Sequence, residues 1–223
     1  MAAAAKSNTN WFAIGISAAV VVVLVALAGL VVFLNNQASA PGPAPSANDT
    51  FDSDAGAISF GDGEDTVAVF VDFQCPACKN FEQQFGPALE QAAEAGTITL
   101  QYHPIAILDR FSQGTEYSSR SAGAAVCVAE SNPDLYLDYA NTLFENQPTE
   151  NSSGLPTEQL AEFATQVGAD DAVSCITDET YKKFGAAQAD AHEVQGTPTV
   201  EINGERLDLQ NDADFKKLTD LIS

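Results

Sequence analysis

A chain of 223 residues with 31 acidic and 9 basic side chains has a formal net charge of −22 at pH 7, a balance that repels phosphate backbones and excludes nucleic acid as a partner. The acidic residues are scattered rather than blocked, which reads first as a solvated, self-repelling surface and only then as steering of basic substrates or a high-salt habitat. A hydrophobic share of 45 % suits a globular core, while four cysteines and two histidines leave few ligands for a metal.

The first element is apolar. Residues 11–34 carry no charge, and as a helix they reach about 36 Å, enough for a hydrocarbon core of about 30 Å. Ala38-Ser39-Ala40 resembles a signal-peptidase site, but the apolar run exceeds that of a cleaved signal and Pro41 follows directly, so an uncleaved anchor is expected. Lys6 is the only charged side chain before the span, and no basic residue follows until Lys79. The positive-inside bias then puts residues 1–10 in the cytoplasm and everything after residue 34 outside. Residues 35–57 are rich in Ala, Pro, Ser, Asn and Gly around Pro41-Gly42-Pro43-Ala44-Pro45 and read as a semi-extended tether, which leaves residues 58–223 for one α/β domain.

Within that domain, residues 57–60 and 66–73 read as strands, 75–95 as a helix with a kink expected at Gly86-Pro87, and 97–102 as the next strand, together a βαβ unit. The run Val67-Ala68-Val69-Phe70-Val71-Asp72-Phe73 leads directly into Cys75-Pro76-Ala77-Cys78, so two thiols three residues apart open a helix at the end of a buried strand. Unpaired N–H groups and the positive end of the helix dipole favour a thiolate there, which makes Cys75 the attacker. Cys78, one turn on, lies on the same helix face and can close a disulfide with Cys75 or resolve a mixed one. Pro76 fits the first helical turn because no N–H is needed from it.

A C-x-x-C alone is ambiguous between a redox pair, half a zinc site and chance. Zinc would want a second close pair or two histidines, but Cys127 and Cys175 are single and far apart and the only histidines are His103 and His192, so no metal is expected. Redox gains from Gly196-Thr197-Pro198-Thr199-Val200, a short strand that begins with proline and leads to an Asn203-Gly204 hairpin turn. Between the two motifs, residues 115–194 turn helical, with openings expected at Pro133-Asp134, at Thr157 and at Asp178, the last heading a longer helix toward His192. A block of this length, about 112–194 at its widest, reads as an inserted helical subdomain. Residues 199–202 and 205–209 read as the closing hairpin and 212–222 as the final helix.

The order strand, C-P-x-C, helix, strand, helical insertion, T-P, hairpin and helix resembles the thioredoxin fold in its DsbA-like form, the extracytoplasmic thiol:disulfide oxidoreductases, over about residues 58–223. The resemblance implies an active disulfide between Cys75 and Cys78 with no further cofactor, and a cis-proline at Pro198 facing it. Thr197 would shape the surface that receives substrate backbone, beside Pro76 and Ala77. It also implies exported protein thiols as substrates and a membrane quinone-linked partner for reoxidation. Two departures stand out: the dipeptide between the cysteines is Pro-Ala where DsbA has Pro-His, and the acid six residues before the first cysteine is replaced by Val69. Asp72 reads either as a buried proton relay or as a strand-end polar residue, and His103 either as a neighbour of the disulfide or as a structural or exposed histidine.

Cys127 and Cys175 fall in apolar settings, and an even cysteine count outside the cytoplasm favours pairing; the bridge would close a loop of about 49 residues and stabilise by roughly 4 kcal/mol on the chain-entropy model. Buried free thiols, or a resolving role in relay with Cys75, are the alternatives. Three functions remain open: an oxidase, a reductase or isomerase working from reduced Cys75 with an electron donor, and a non-redox holdase gripping extended peptides beside Pro198.

Overall fold

The computed structural model describes residues 20–31 and 42–222. Residues 20–31 form helix α1 and expose their valines and leucines. The rest of the apolar run expected to span a membrane lies outside the described residues, and no described helix is long and apolar enough to cross one.

The domain is a sheet with helices packed on it. Strands β1 (Phe51–Asp52), β2 (Ala57–Phe60), β3 (Asp65–Val71), β4 (Ile98–Pro104), β5 (Thr199–Ile202) and β6 (Glu205–Arg206) stand in the order β1-β2-β4-β3-β5-β6. Only β3 and β4 run parallel, in register from Asp65 opposite Ile98 to Val71 opposite Pro104. A parallel pair needs a crossover, and α2 (Pro76–Glu94) supplies it. β3 is central, with neighbours on both sides, and Val67 to Val71 are accordingly apolar and buried. α2 lays Cys78, Phe81, Phe85, Leu89 and Ala92 into the core at helical spacing and runs unbroken through Gly86-Pro87.

Between β4 and β5 lie α3 (Tyr117–Ser131), α4 (Tyr136–Glu145), α5 (Thr157–Gln166), α6 (Val173–Thr177) and α7 (Phe184–Ala191), and α8 (Asp212–Leu221) closes the chain with Asn211 capping it through Ala213 N–H. α3 is buried almost throughout, so the insertion is organised around it. A Cβ at Gly123 would meet backbone of Tyr181 and Lys182 at 2.8–2.9 Å, so only glycine lets α3 approach that turn. Cys127 on α3 and Cys175 on α6 form a disulfide with Cα atoms 5.8 Å apart.

Three expectations are corrected. Asp178 does not open a long helix: it ends α6, Glu179 turns left-handed at φ 50°, and α7 begins only at Phe184. β6 stops at Arg206 rather than at residue 209. Residues 42–57, taken as tether, belong to the domain. Pro45 is buried, Ser46 N–H donates to Glu130 Oε1 at 2.7 Å, Asn48 Nδ2 donates to the Ala129 carbonyl at 3.1 Å, and β1 pairs with β2. Composition marked this stretch as loop, and its partners on α3 and β2 order it.

Candidate active site

β3 ends at Val71, and the chain turns on Asp72. Cys75 N–H returns to the Asp72 carbonyl at 2.9 Å and Gln74 N–H to Asp72 Oδ1 at 2.9 Å, which sets Cys75 as the extended N-cap of α2 with Pro76 at the first helical position. From the insertion, the Gln147 amide donates to the carbonyls of Phe73 and Cys75 at 3.0 and 2.9 Å. From across the sheet, the Thr197–Pro198 peptide is cis and the Cys75 thiol donates to the Thr197 carbonyl at 3.3 Å. Thr197 and Pro198 thus face the cysteine.

The two thiols are free and unequal. Cys75 is 7 % exposed and Cys78 fully buried. A hydrogen bond from the Cys78 thiol pulls the Cys75 pKa down to about 6 against the opposing effect of burial, with smaller help from Thr197 and from the N–H groups of Cys78 and Ala77. The Cys78 thiol first, and those unpaired N–H groups of a helix start after it, favour the Cys75 thiolate in the absence of an imidazole at Pro76-Ala77. Cys78 is pushed well above its ordinary value by burial first, then by its hydrogen bond to Cys75 and by the charge on Cys75. The Thr197 hydroxyl is buried with no partner in the dithiol state.

Asp72 is fully buried, and its carboxyl accepts from Gln74 N–H, from Ile107 and Leu108 N–H at 2.9 and 3.1 Å, and from the Ser118 hydroxyl at 2.5 Å. Burial raises its pKa against the lowering effect of Ser118 and the three N–H groups. One donor falls on Oδ1 and three on Oδ2, so the group ties the end of β3 to the loop after β4 and to α3. His103 packs on Phe70, with ring centroids 4.2 Å apart, and on His192 at 5.2 Å, and burial drives its pKa down to about 3. These contacts make it a core histidine, neutral at physiological pH.

Two participants were not picked out from the sequence. Glu82, one turn beyond Cys78 on α2, is 7 % exposed, accepts from the Tyr102 hydroxyl at 2.8 Å through Oε2, leaves Oε1 unpartnered, and is pushed up to about 7 by burial. Its i+4 spacing from Cys78 was the available signal. Gln147 had none, since 72 residues separate it from Cys75. Beside the cysteines an apolar groove of about 250 Å³ runs from Ala77 and Pro198 past Phe81 and Phe85 to Leu209 and Phe215. Among the described residues no group of three His, Cys, Asp or Glu side chains is placed to hold a metal ion.

The architecture has known counterparts. Mycobacterium tuberculosis serine/threonine-protein kinase PknE is 34 % identical over 131 residues, which are 56 % of this chain but 23 % of the kinase, so the chain spans under a quarter of that relative's length. Disulfide bond formation protein D of Bacillus subtilis is 24 % identical over 164 residues, 70 % of each protein. The crystal structure of DsbA from M. tuberculosis superposes with a TM-score of 0.65 at 29 % identity, covering 75 % of this chain and 93 % of that one. A family profile described as Thioredoxin matches residues 59–221, from β2 through α8, and on that match the chain belongs to the thioredoxin family.

Proposed function

We propose that the chain is a DsbA-like protein thiol:disulfide oxidoreductase in which Cys75 is the exchanging sulfur and Cys78 its buried partner. The observation that carries this reading is the inequality of the two thiols at one helix start, Cys75 held near pKa 6 and Cys78 well above its ordinary value. A stabilised thiolate makes the reduced form the favoured one, which gives the couple its oxidising sense.

In the oxidising direction a substrate thiolate attacks the Cys75 sulfur of the Cys75–Cys78 disulfide. The S–S bond breaks, Cys78 leaves as a thiolate and takes up a proton, and the substrate is held on Cys75. A second substrate thiolate then attacks the substrate sulfur of that mixed disulfide and displaces Cys75, which leaves readily because its thiolate is stabilised. The products are a substrate disulfide and the reduced pair. Thr197 and Pro198 form the wall against which the substrate segment lies, Pro76 and Ala77 border it, and Asp72 anchors the loop beneath.

The setting of the chemistry belongs to the same proposal. Residues 1–10 are cytoplasmic, residues 11–34 are the membrane anchor, and the catalytic domain is extracytoplasmic, acting on exported proteins and reoxidised by a membrane quinone-linked partner. The uncharged run and the dearth of basic residues after it support this reading. The test is oxidative refolding of a reduced, disulfide-containing protein by the preoxidised chain. Stoichiometric disulfide transfer that is lost in Cys75→Ser is expected. Cys75→Ser that still binds unfolded substrate while wild type transfers no disulfide would favour the holdase, and a couple as reducing as a cytosolic dithiol would favour a reductase.

A further inference from the structure

A second, larger groove shares Pro198 with the apolar groove. It has a volume of about 850 Å³ and is lined by the end of α7 and the strand approach, including Asp190, Glu193, Gln195, Thr197, Pro198 and Arg206. It adjoins the reactive sulfur through Thr197, which lines the groove and whose carbonyl accepts from the Cys75 thiol at 3.3 Å.

The charge in it is not balanced. Arg206 is the one cation of the lining, and its guanidinium is engaged already, by Glu201 Oε1 at 2.9 and 3.1 Å and by the carbonyls of His192 and Glu193 at 3.0 and 3.3 Å. Asp190 and Glu193 are exposed and enter none of the ion pairs found among the described residues. Glu193 sits at φ 52°, just past the end of α7, where Val194 N–H reaches back to the Ala189 carbonyl at 2.9 Å. A left-handed cap of this kind is the usual place for glycine, and a glutamate there accepts backbone strain while putting a carboxylate on the groove. Thr197 adds a buried hydroxyl without a partner.

We infer that this groove sets substrate choice, with Asp190 and Glu193 as specificity-determining residues that favour substrate segments bearing a lysine or arginine near the reacting cysteine. The inference rests on the proposed oxidoreductase function and deepens it. A cationic side chain laid in the groove meets two carboxylates that enter no ion pair among the described residues, whereas an acidic one meets like charge.

The test compares two dithiol peptides of equal length, their cysteines flanked by lysine in one and by glutamate in the other, as substrates of the preoxidised full chain. A kcat/KM ratio of about three- to tenfold in favour of the lysine peptide is expected at low salt, the range that two exposed charge pairs supply. The ratio should shrink as sodium chloride is raised and should fall toward one in Asp190→Asn/Glu193→Gln. Asp170→Asn/Asp171→Asn removes the same charge from exposed positions outside the groove and should keep the wild-type ratio. No preference in wild type would overturn the inference, and an equal loss in both double variants would overturn it by assigning the preference to net charge. In either case disulfide transfer to the peptides leaves the proposed function standing; failure to oxidise either peptide or dithiothreitol removes both.

Discussion

Cys75 and Cys78 stand free at the start of α2, at the meeting point of β3, the insertion and the Thr197–Pro198 loop. Cys127 and Cys175 are joined across α3 and α6, with Ala124, Ala125, Val126, Val128 and Ile176 buried around them. The reactive pair has donors that favour the thiolate at one sulfur, while at the other burial outweighs them, and around it lie polar atoms without partners: the Gln74 amide, the Thr197 hydroxyl and Glu82 Oε1. Such atoms cost stability when buried. The lesson is that one pair sits where helix-start donors and burial set its two sulfurs far apart in acidity, while the other cross-links two helices with a sulfur buried in the core.

The largest effect that would break this contrast is on turnover. Cys75→Ser should lower disulfide transfer by about a thousandfold or more, since no other free cysteine has its thiolate favoured. Alkylation of the reduced native protein should modify Cys75 with a midpoint near pH 6 and leave Cys78 untouched. Preferential labelling of Cys78 would reverse the assignment.

Next comes stability. Cys127→Ala/Cys175→Ala should cost about 2–5 kcal/mol by urea unfolding while the Cys75 alkylation midpoint stays near pH 6, which separates a structural bridge from a redox relay. A shifted midpoint would mean the two pairs communicate.

Glu82 provides a smaller, pH-dependent effect on the reactive side. Its folded pKa, about 7, lies above the value of 4.5 for an unburied glutamate, so the folded state holds the proton more tightly. This favours folding fully below about pH 4.5 and is lost progressively as pH rises through 7. Glu82→Gln should remove that loss, leaving the variant on the order of 2–3 kcal/mol more stable relative to wild type at pH 8 than at pH 4. Parallel stability profiles for the two proteins would refute the buried-acid account.

The smallest effect concerns the dipeptide between the reactive cysteines. Ala77→His puts a further donor beside Cys75 in a strongly acidic protein, and should lower the thiolate pKa and raise the reduction potential; one pKa unit corresponds to about 1.4 kcal/mol, or near 30 mV for this two-electron couple. An unchanged thiolate absorbance titration would move control of the potential to Thr197 or Asp72.

What could be read in the chain was local. Cys75-Pro76-Ala77-Cys78 after a β-branched run and Thr197-Pro198 before a hairpin turn carry their geometry within a few residues, and so did the pairing of two cysteines in apolar helical segments. What could not be read depends on where distant elements meet. Asp72 was ambiguous because its partners at Ile107, Leu108 and Ser118 come from a loop and a helix far along the chain. β1 was missed because a strand of two residues has no periodicity, and residues 42–50 because proline and alanine look like linker until Glu130 and Ala129 meet them. The break at Glu179 is a left-handed turn at a residue type with no preference for it.

Gln147, like Asp72, joins the two regions. The Gln147 amide places its two hydrogens on the carbonyls of Phe73 and Cys75, so the loop that carries the reacting sulfur is braced from the segment just after α4 rather than free to hinge. While a substrate is covalently held on Cys75, the pull of that tethered chain passes through this brace into the insertion and its cross-link. The helical subdomain then serves as a mechanical ground, resisting the leverage of a partly folded polypeptide many times larger than the bond that holds it.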